Sequence, residues 1–249
     1  MAGDKVRALT FGEVAEEYDR VRPTYPPELI KDLLAYSAPA TALEIGAGTG
    51  KATVAIASTG VQVLALEPDP AMALVLRQRV AGLEVNIAMG TLESYEPEEQ
   101  FDLAYSAQAF HWTAPETRWT RTAALLRPGG SLALFWNRER LADPAVRAAA
   151  SEALGEHDLV HKTDWPDSES LQPDPEMAAR PEFTDFKQQA YAWERTLPRE
   201  DYVANLGTQS AYLMLEDEER DEILDGLRSV LPDPVTLEMA TLLYLAKKV

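Results

Sequence analysis

Residues 41–51, TALEIGAGTGK, constrain this chain more than any other stretch. A short apolar run ending at Ile45 meets glycines at alternate positions, Gly46, Gly48 and Gly50, and the helix-compatible segment KATVAIAST follows. That order predicts a buried strand, a tight turn and a helix start. Glycine tolerates positive φ and puts no side chain between backbone and ligand, so such a turn suits close approach. Three glycine-loop chemistries compete. A phosphate-cradling P-loop needs a glycine where Ile45 stands and a hydroxyl where Ala52 stands, so it fails. A dinucleotide fingerprint, G-x-G-x-x-G, needs a small residue in place of Lys51 and fits poorly. An acid followed by G-x-G-x-G fits, with Glu44 ahead of the three glycines. A tight strand-to-helix turn with no ligand is the plain alternative.

The next strand, VQVLALEPDP, ends in Glu67, about 20 residues beyond the first glycine. At that spacing a βαβ unit can offer a carboxylate to a ribose diol. Pro68 and Pro70 stop the strand, and 71–80 continues as a helix with Met72 near its start. LEVNIAMG and FDLAYSAQAFHW read as strands three and four, 117–126 as a helix, RPGG as a turn and SLALFWN as strand five. Helices between sequential strands favour right-handed crossovers and a mainly parallel sheet. Beyond Asn137, 144–154 is helical and 155–185 is polar and rich in proline and acids. FKQQAYAWERTL and VTLEMATLLYLAKKV are strand-like and are expected as an antiparallel pair at the sheet edge. Helices at 197–207, 209–215 and 216–231 would form a cap between them. Upstream, 13–19 and 26–36 read as helices joined by YDRVRPTYP. That segment is either an arm packed on the domain or a lid with Tyr18, Arg22 and Tyr25 facing a ligand.

Composition narrows the function. The 249 residues include no cysteine, which removes disulfides, thiol nucleophiles and cysteine metal sites. With three histidines no metal site is expected. A formal net charge of −18 repels phosphate backbones, so no nucleic-acid or membrane partner is expected. The N-terminal stretch does not read as a signal peptide, and no run approaches the ~18 apolar residues of a spanning helix. A soluble cytoplasmic protein, monomer or homodimer, is the expectation.

Six segments in order carry a family resemblance: F-x6-YDRVRPTYP at 11–26, LEIGAGTGK at 43–51, ALEPDP at 65–70, GTLE at 90–93, FDLAYSAQAFHW at 101–112 and LRPGGSLALFWN at 126–137. Together they resemble the class I S-adenosylmethionine (SAM)-dependent methyltransferases, within them the small-molecule, trans-aconitate methyltransferase-like group. The resemblance implies an α/β, Rossmann-like, seven-stranded and mainly parallel sheet. Its last strand would be antiparallel and inserted between its neighbours, with helices on both faces and a helical C-terminal cap. Residues 1–137 would supply the arm and SAM-binding core, and 138–249 the cap helices and the strands completing the same sheet, in a single domain overall.

It also implies site roles, with SAM as cofactor and S-adenosylhomocysteine as product. Backbone at Gly46, Ala47 and Gly48, in a loop closed by Gly50 and steadied by Glu44, would approach the methionine moiety. Glu67 would accept the ribose hydroxyls. Pro68 and Met72 would cover the adenine, with Thr91 and Leu92 at its other edge, although many relatives carry aspartate at the position of Thr91. Ser106 and Gln108 would lie beside the methionine moiety. Tyr18 and Arg22 would join the cofactor site, Arg22 pairing with the carboxylate of SAM or of an acidic acceptor. A small-molecule acceptor, methylated at a carboxylate or hydroxyl, would be lined by Tyr25, Tyr105, Trp112, Trp136 and Asn137; Trp136 equally suits the core. His111 is the one histidine placed to serve as a base, or else packs on Trp112 or bonds the acceptor. His157 and His161 read as solvated. The rival functions are a SAM-binding module without catalysis and an NAD(P)-dependent oxidoreductase, the latter disfavoured by Lys51.

Overall fold

The computed structural model describes residues 14–96, 99–158, 165–166 and 174–249. Phe11, Glu13 and His161 lie outside these. Strands β1 (Thr41–Ile45), β2 (Gln62–Glu67), β3 (Val85–Met89), β4 (Phe101–Ala107), β5 (Leu126–Leu141), β6 (Phe183–Leu197) and β7 (Val235–Lys248) make one seven-stranded sheet. Its order is β3-β2-β1-β4-β5-β7-β6. The pairs β1–β2, β1–β4, β2–β3 and β4–β5 are parallel. Parallel strands are covered on both faces, which is why four of the five residues of β1 are buried, Glu44 among them.

Side-chain contacts fix the direction of β7. Lys247 Nζ donates to Ser131 Oγ, and Arg140 Nε donates to Glu238, so β7 runs against β5. It also runs against β6, with Thr196 beside Thr236 and the Val249 amide bonded to the Glu182 carbonyl. The expected inserted, antiparallel last strand is present.

Crossovers run through helices Lys51–Ala57, Pro70–Arg79 and Arg118–Leu125. Asp69 caps the second, its Oδ1 accepting from the amides of Ala71 and Met72 at 2.8 and 3.0 Å, and Pro70 occupies the first turn where no amide is needed. RPGG does not form the expected turn. It lies within β5, which also continues past Asn137 to Leu141. A Cβ on Gly130 would sit 2.8 Å from the Arg127 carbonyl and 3.2 Å from that of Asp102. The glycine therefore lets β5 run on beside β4 through an irregular register at Phe101 and Leu103 instead of reversing.

The chain divides into two compact units. The larger comprises Thr24–Trp136, Asp167–Tyr191 and Thr241–Val249. Strand alternation sends neighbouring apolar residues to different cores: Ala42, Ala133 and Phe135 join Leu29, Leu33 and Ile56, whereas Leu43, Leu132 and Leu134 join Leu66, Leu92 and Trp119. The smaller comprises Met1–Pro23, Asn137–Pro166 and Ala192–Ala240. Its helices Pro144–Leu154, Arg199–Gly207 and Asp217–Val230 bury Leu154, Tyr202, Leu206 and Leu227 with Leu237 of β7.

Candidate functional site

The glycine turn is tied to the tip of β2. The amides of Gly46 and Ala47 both donate to the Leu66 carbonyl, at 3.1 and 2.9 Å. One residue on, the Gly48 amide donates to Glu67 Oε2 at 2.7 Å, while the Asp69 amide donates to Glu67 Oε1 at 2.9 Å. Three glycines serve here for different reasons, although all have positive φ. A Cβ on Gly46 would lie 2.5 Å from Ala109 Cβ, and one on Gly50 2.5 Å from Leu76 Cδ1. Those two allow close packing. A Cβ on Gly48 would meet nothing within 4 Å, so its bare backbone faces space that a ligand can fill.

Two acids hold this turn. Glu44 is buried and accepts from Thr53 Oγ1 and Tyr105 Oη. Burial pushes its carboxyl up to about 8; the two hydroxyl bonds oppose the shift and the nearby Glu67 adds to it. Glu67, also buried, is pushed up to about 7 by desolvation, against the pull of the Asp69 and Gly48 amides, with the Asp69 charge adding. A carboxylate offers about four lone-pair sites. Each Glu67 oxygen thus keeps capacity for a further donor after its backbone bond, which suits the two hydroxyls of a ribose.

Of the other expected cofactor residues, all but Tyr18 and Arg22 surround the same turn or lie in the same unit. Ser106 is buried and donates to the Ile45 carbonyl at 2.7 Å, fixing β4 to the start of the turn. Gln108 adopts φ 62° at the exit of β4, its amide bonded to the Phe135 carbonyl. Pro68 is half-buried, Met72 and Leu92 are buried, and Thr91 is exposed. Sequence reasoning missed Thr49, whose hydroxyl is buried in the turn with no partner. A threonine between two glycines gives no sign of which way it points.

The expected acceptor residues divide. Tyr105 is corrected: it is fully buried, its hydroxyl given to Glu44 and its ring stacked 6.4 Å from Phe135, so it belongs to the core that supports the turn. Tyr25 sets its ring edge-on to Phe135 at 4.8 Å, and Trp136 packs against Tyr244 at 5.8 Å. His111 is exposed, with its ring 4.5 Å from Trp112. All of these belong to the larger unit. Tyr18, Arg22 and Asn137 belong to the smaller one, where Arg22 Nε donates to Thr208 Oγ1 at 2.9 Å and its guanidinium covers the Tyr18 ring at 4.9 Å. Also missed from sequence were Glu139, Arg195 and Asn205, which come together in that unit from β5, β6 and helix Arg199–Gly207. Among the described residues no cluster of His, Cys, Asp and Glu suits a metal ion.

Residues 42–130 match the family described as "Methyltransferase domain". They belong to the class I SAM-dependent methyltransferases. An uncharacterized methyltransferase of Mycobacterium tuberculosis is 42% identical over 132 residues, covering 52% of this chain and 53% of the relative. The chain thus spans about half the length of that mycobacterial relative. An uncharacterized methyltransferase of Schizosaccharomyces pombe is 27% identical over 252 residues, covering 96% of this chain and 97% of its own. In three dimensions the methyltransferase fold is shared with a structure from Anaeromyxobacter dehalogenans assigned to the type II methyltransferases, at TM-score 0.66 and 24% identity over 91% of this chain and 97% of the other. Within the methyltransferase domain lie β1 to β4, the glycine turn and Glu67.

Proposed function

We propose that this protein binds SAM at the tips of β1 and β2 and transfers its methyl group to a small-molecule acceptor, at a carboxylate or a hydroxyl. The observation that carries the reading is the link between Glu67 and the Gly48 amide, beside the one glycine of the turn whose Cβ side is open. Glu67 takes the ribose diol on its remaining lone pairs, a charge-assisted pairing. The backbone of Gly46, Ala47 and Gly48 borders the methionine moiety, with Gly50 setting the start of the next helix. Pro68, Met72, Thr91 and Leu92 frame the adenine, and Ser106 and Gln108 border the sulfonium end. SAM supplies an electrophilic methyl on sulfur; the protein's own part is to orient, to bind and to exclude water. Tyr25, Trp112 and Trp136 offer apolar surface to an acceptor, and His111, exposed beside Trp112, can take a proton from it. A small solute also suits the charge balance, which disfavours polyanions.

Calorimetric titration with SAM and S-adenosylhomocysteine tests the reading. Wild type should bind both, and Glu67→Ala should weaken binding by about 1.5–3 kcal/mol, the scale of hydrogen bonds to a charged group. Absence of binding by the wild type sinks the proposal. Binding without turnover on any small acceptor would leave a SAM-binding module in place of an enzyme.

A further inference from the structure

The turn that carries His111 and Trp112 is anchored at both ends on elements assigned to the cofactor. At its start, Ala109 lies against the glycine turn, so close that a Cβ on Gly46 would sit 2.5 Å from the Ala109 Cβ. At its end, the Ala114 amide donates to Glu93 Oε1 at 2.6 Å. Glu93 is half-buried and belongs to the loop after β3 that supplies Thr91 and Leu92. Within the turn, Thr113 folds back on the Phe110 carbonyl through its amide at 3.2 Å and its hydroxyl at 2.7 Å. The Trp112 amide donates to the Ala109 carbonyl at 2.9 Å. A segment closed by such bonds moves as one piece.

The loop after β3 is equally compact. The Ser94 and Tyr95 amides donate to the Thr91 carbonyl at 3.2 and 3.1 Å, and the Thr91 amide donates to Ser94 Oγ at 3.0 Å. Arg121, on the helix that follows the turn, donates Nε to the Leu92 carbonyl and Nη2 to the Tyr95 carbonyl, both at 2.9 Å. A planar guanidinium presents its donors in fixed geometry, so it sets the loop's orientation as well as its distance. Leu92 is buried in the same core as Phe110 and Trp119. Glu93 joins the two pieces across 21 residues of sequence, through a bond between a carboxylate and a backbone amide. Bonds of that kind are charge-assisted and about twice as strong as neutral ones. Neither the SAM contacts nor the proton transfer proposed above uses Glu93 or Arg121.

We propose that Glu93 is a positioning residue that transmits the seating of adenine to the turn presenting His111 and Trp112 to the acceptor. Adenine packed on the edge made by Thr91 and Leu92 fixes the loop. The loop, through Glu93, then sets where Ala114 and the turn ahead of it stand. Two sites couple in this way when one physical element bears on both. The inference rests on the reading of Thr91 and Leu92 as the adenine edge and of His111 as facing the acceptor.

Adenosine is the probe, because it carries the base and ribose without the methionine moiety. The Cε1 proton of His111, identified by its loss from the NMR spectrum of His111→Ala, reports the turn. Adenosine should shift that signal in the wild type and in Glu93→Gln, whose amide oxygen still accepts from Ala114. Glu93→Ala should bind adenosine by calorimetry, yet its His111 signal should not respond. Ala114→Pro deletes the donor and leaves Glu93 in place. Thr113 already has the extended backbone that a following proline requires, φ −79° and ψ 157°, so the change suits the chain and should abolish the shift as well. It also carries the test if Glu93→Ala fails to fold. A merely structural Glu93 would lower Tm on removal and leave the shift intact. A full shift in a folded Glu93→Ala or Ala114→Pro protein, or no shift in a wild type that binds adenosine, overturns the proposal. A wild type that binds neither adenosine nor S-adenosylhomocysteine refutes the cofactor site itself, and this role falls with it.

Discussion

Gly48 and Gly50 look alike in sequence, and alanine at each should fail in a different way. At Gly50 the backbone has φ +90°, and a new Cβ would sit 2.5 Å from Leu76 Cδ1, part of a fully buried side chain. Left-handed backbone costs a non-glycine residue about 1–2 kcal/mol, and forcing a methyl into a packed core about 1–3 kcal/mol. Gly50→Ala should therefore lose about 2–5 kcal/mol of folding stability. At Gly48 the backbone has φ +57° and the methyl would meet no atom within 4 Å, so only the conformational cost applies, about 1–2 kcal/mol. The ligand should feel it instead. If SAM rests on this backbone, the methyl overpacks the contact by about 1–3 kcal/mol, a loss of about 5- to 150-fold in affinity. Urea denaturation and SAM calorimetry on the two variants separate the effects. A Gly48→Ala protein that binds SAM like wild type would refute the claim that this glycine is bare for a ligand, and equal stability of the two variants would refute the packing argument at Gly50.

Other outcomes follow from the acids and the histidine. Folding raises the Glu44 pKa from 4.5 to about 8, so the native state holds this proton more tightly than the unfolded chain. That stabilisation is fully present below 4.5 and is lost as pH rises through about 8. Wild type should thus lose stability relative to Glu44→Gln across that window; parallel stability–pH curves would contradict the assignment. Asp69→Ala should cost about 0.5–2 kcal/mol through loss of the helix cap, and should lower the pKa of Glu67, whose carboxyl the Asp69 charge helps to raise; an NMR titration reads the second effect. His111→Ala should reduce kcat by about 100-fold or more, with SAM affinity retained, if its ring takes the acceptor's proton; unchanged kcat would leave it as a packing partner of Trp112.

The parts of this site that depend on local chain geometry were legible in the sequence. Three glycines after an apolar run and an acid at the end of the following strand located the turn and Glu67, because a βαβ unit fixes the distance between the two tips. Strand β7 and the helices of the smaller unit were likewise read from hydrophobic runs. RPGG misled because glycine pairs usually signal reversal, whereas here the missing side chain makes room for the β4 backbone. Tyr105 misled because a tyrosine near a strand exit reads as a pocket wall, and only the fold brings it to Glu44, 61 residues away. Glu139, Arg195 and Asn205 were missed for the same reason. Glu139 and Asn205 are 66 residues apart, and nothing local marks either as the other's partner.

The insertion of β7 between β5 and β6 bears on how the chain is made. A ribosome delivers β5 and β6 well before β7, and the two must not pair with each other, since the finished sheet separates them by one strand. Until β7 emerges, each presents an unfilled backbone edge of 16 and 15 residues respectively. Such edges invite pairing with other chains. Until then the sheet ends at β5 and β6 has no partner in it, the stage at which a holdase chaperone would matter most. Slowing translation of the β7 codons should lengthen that stage and increase aggregation, without altering a single contact of the native state.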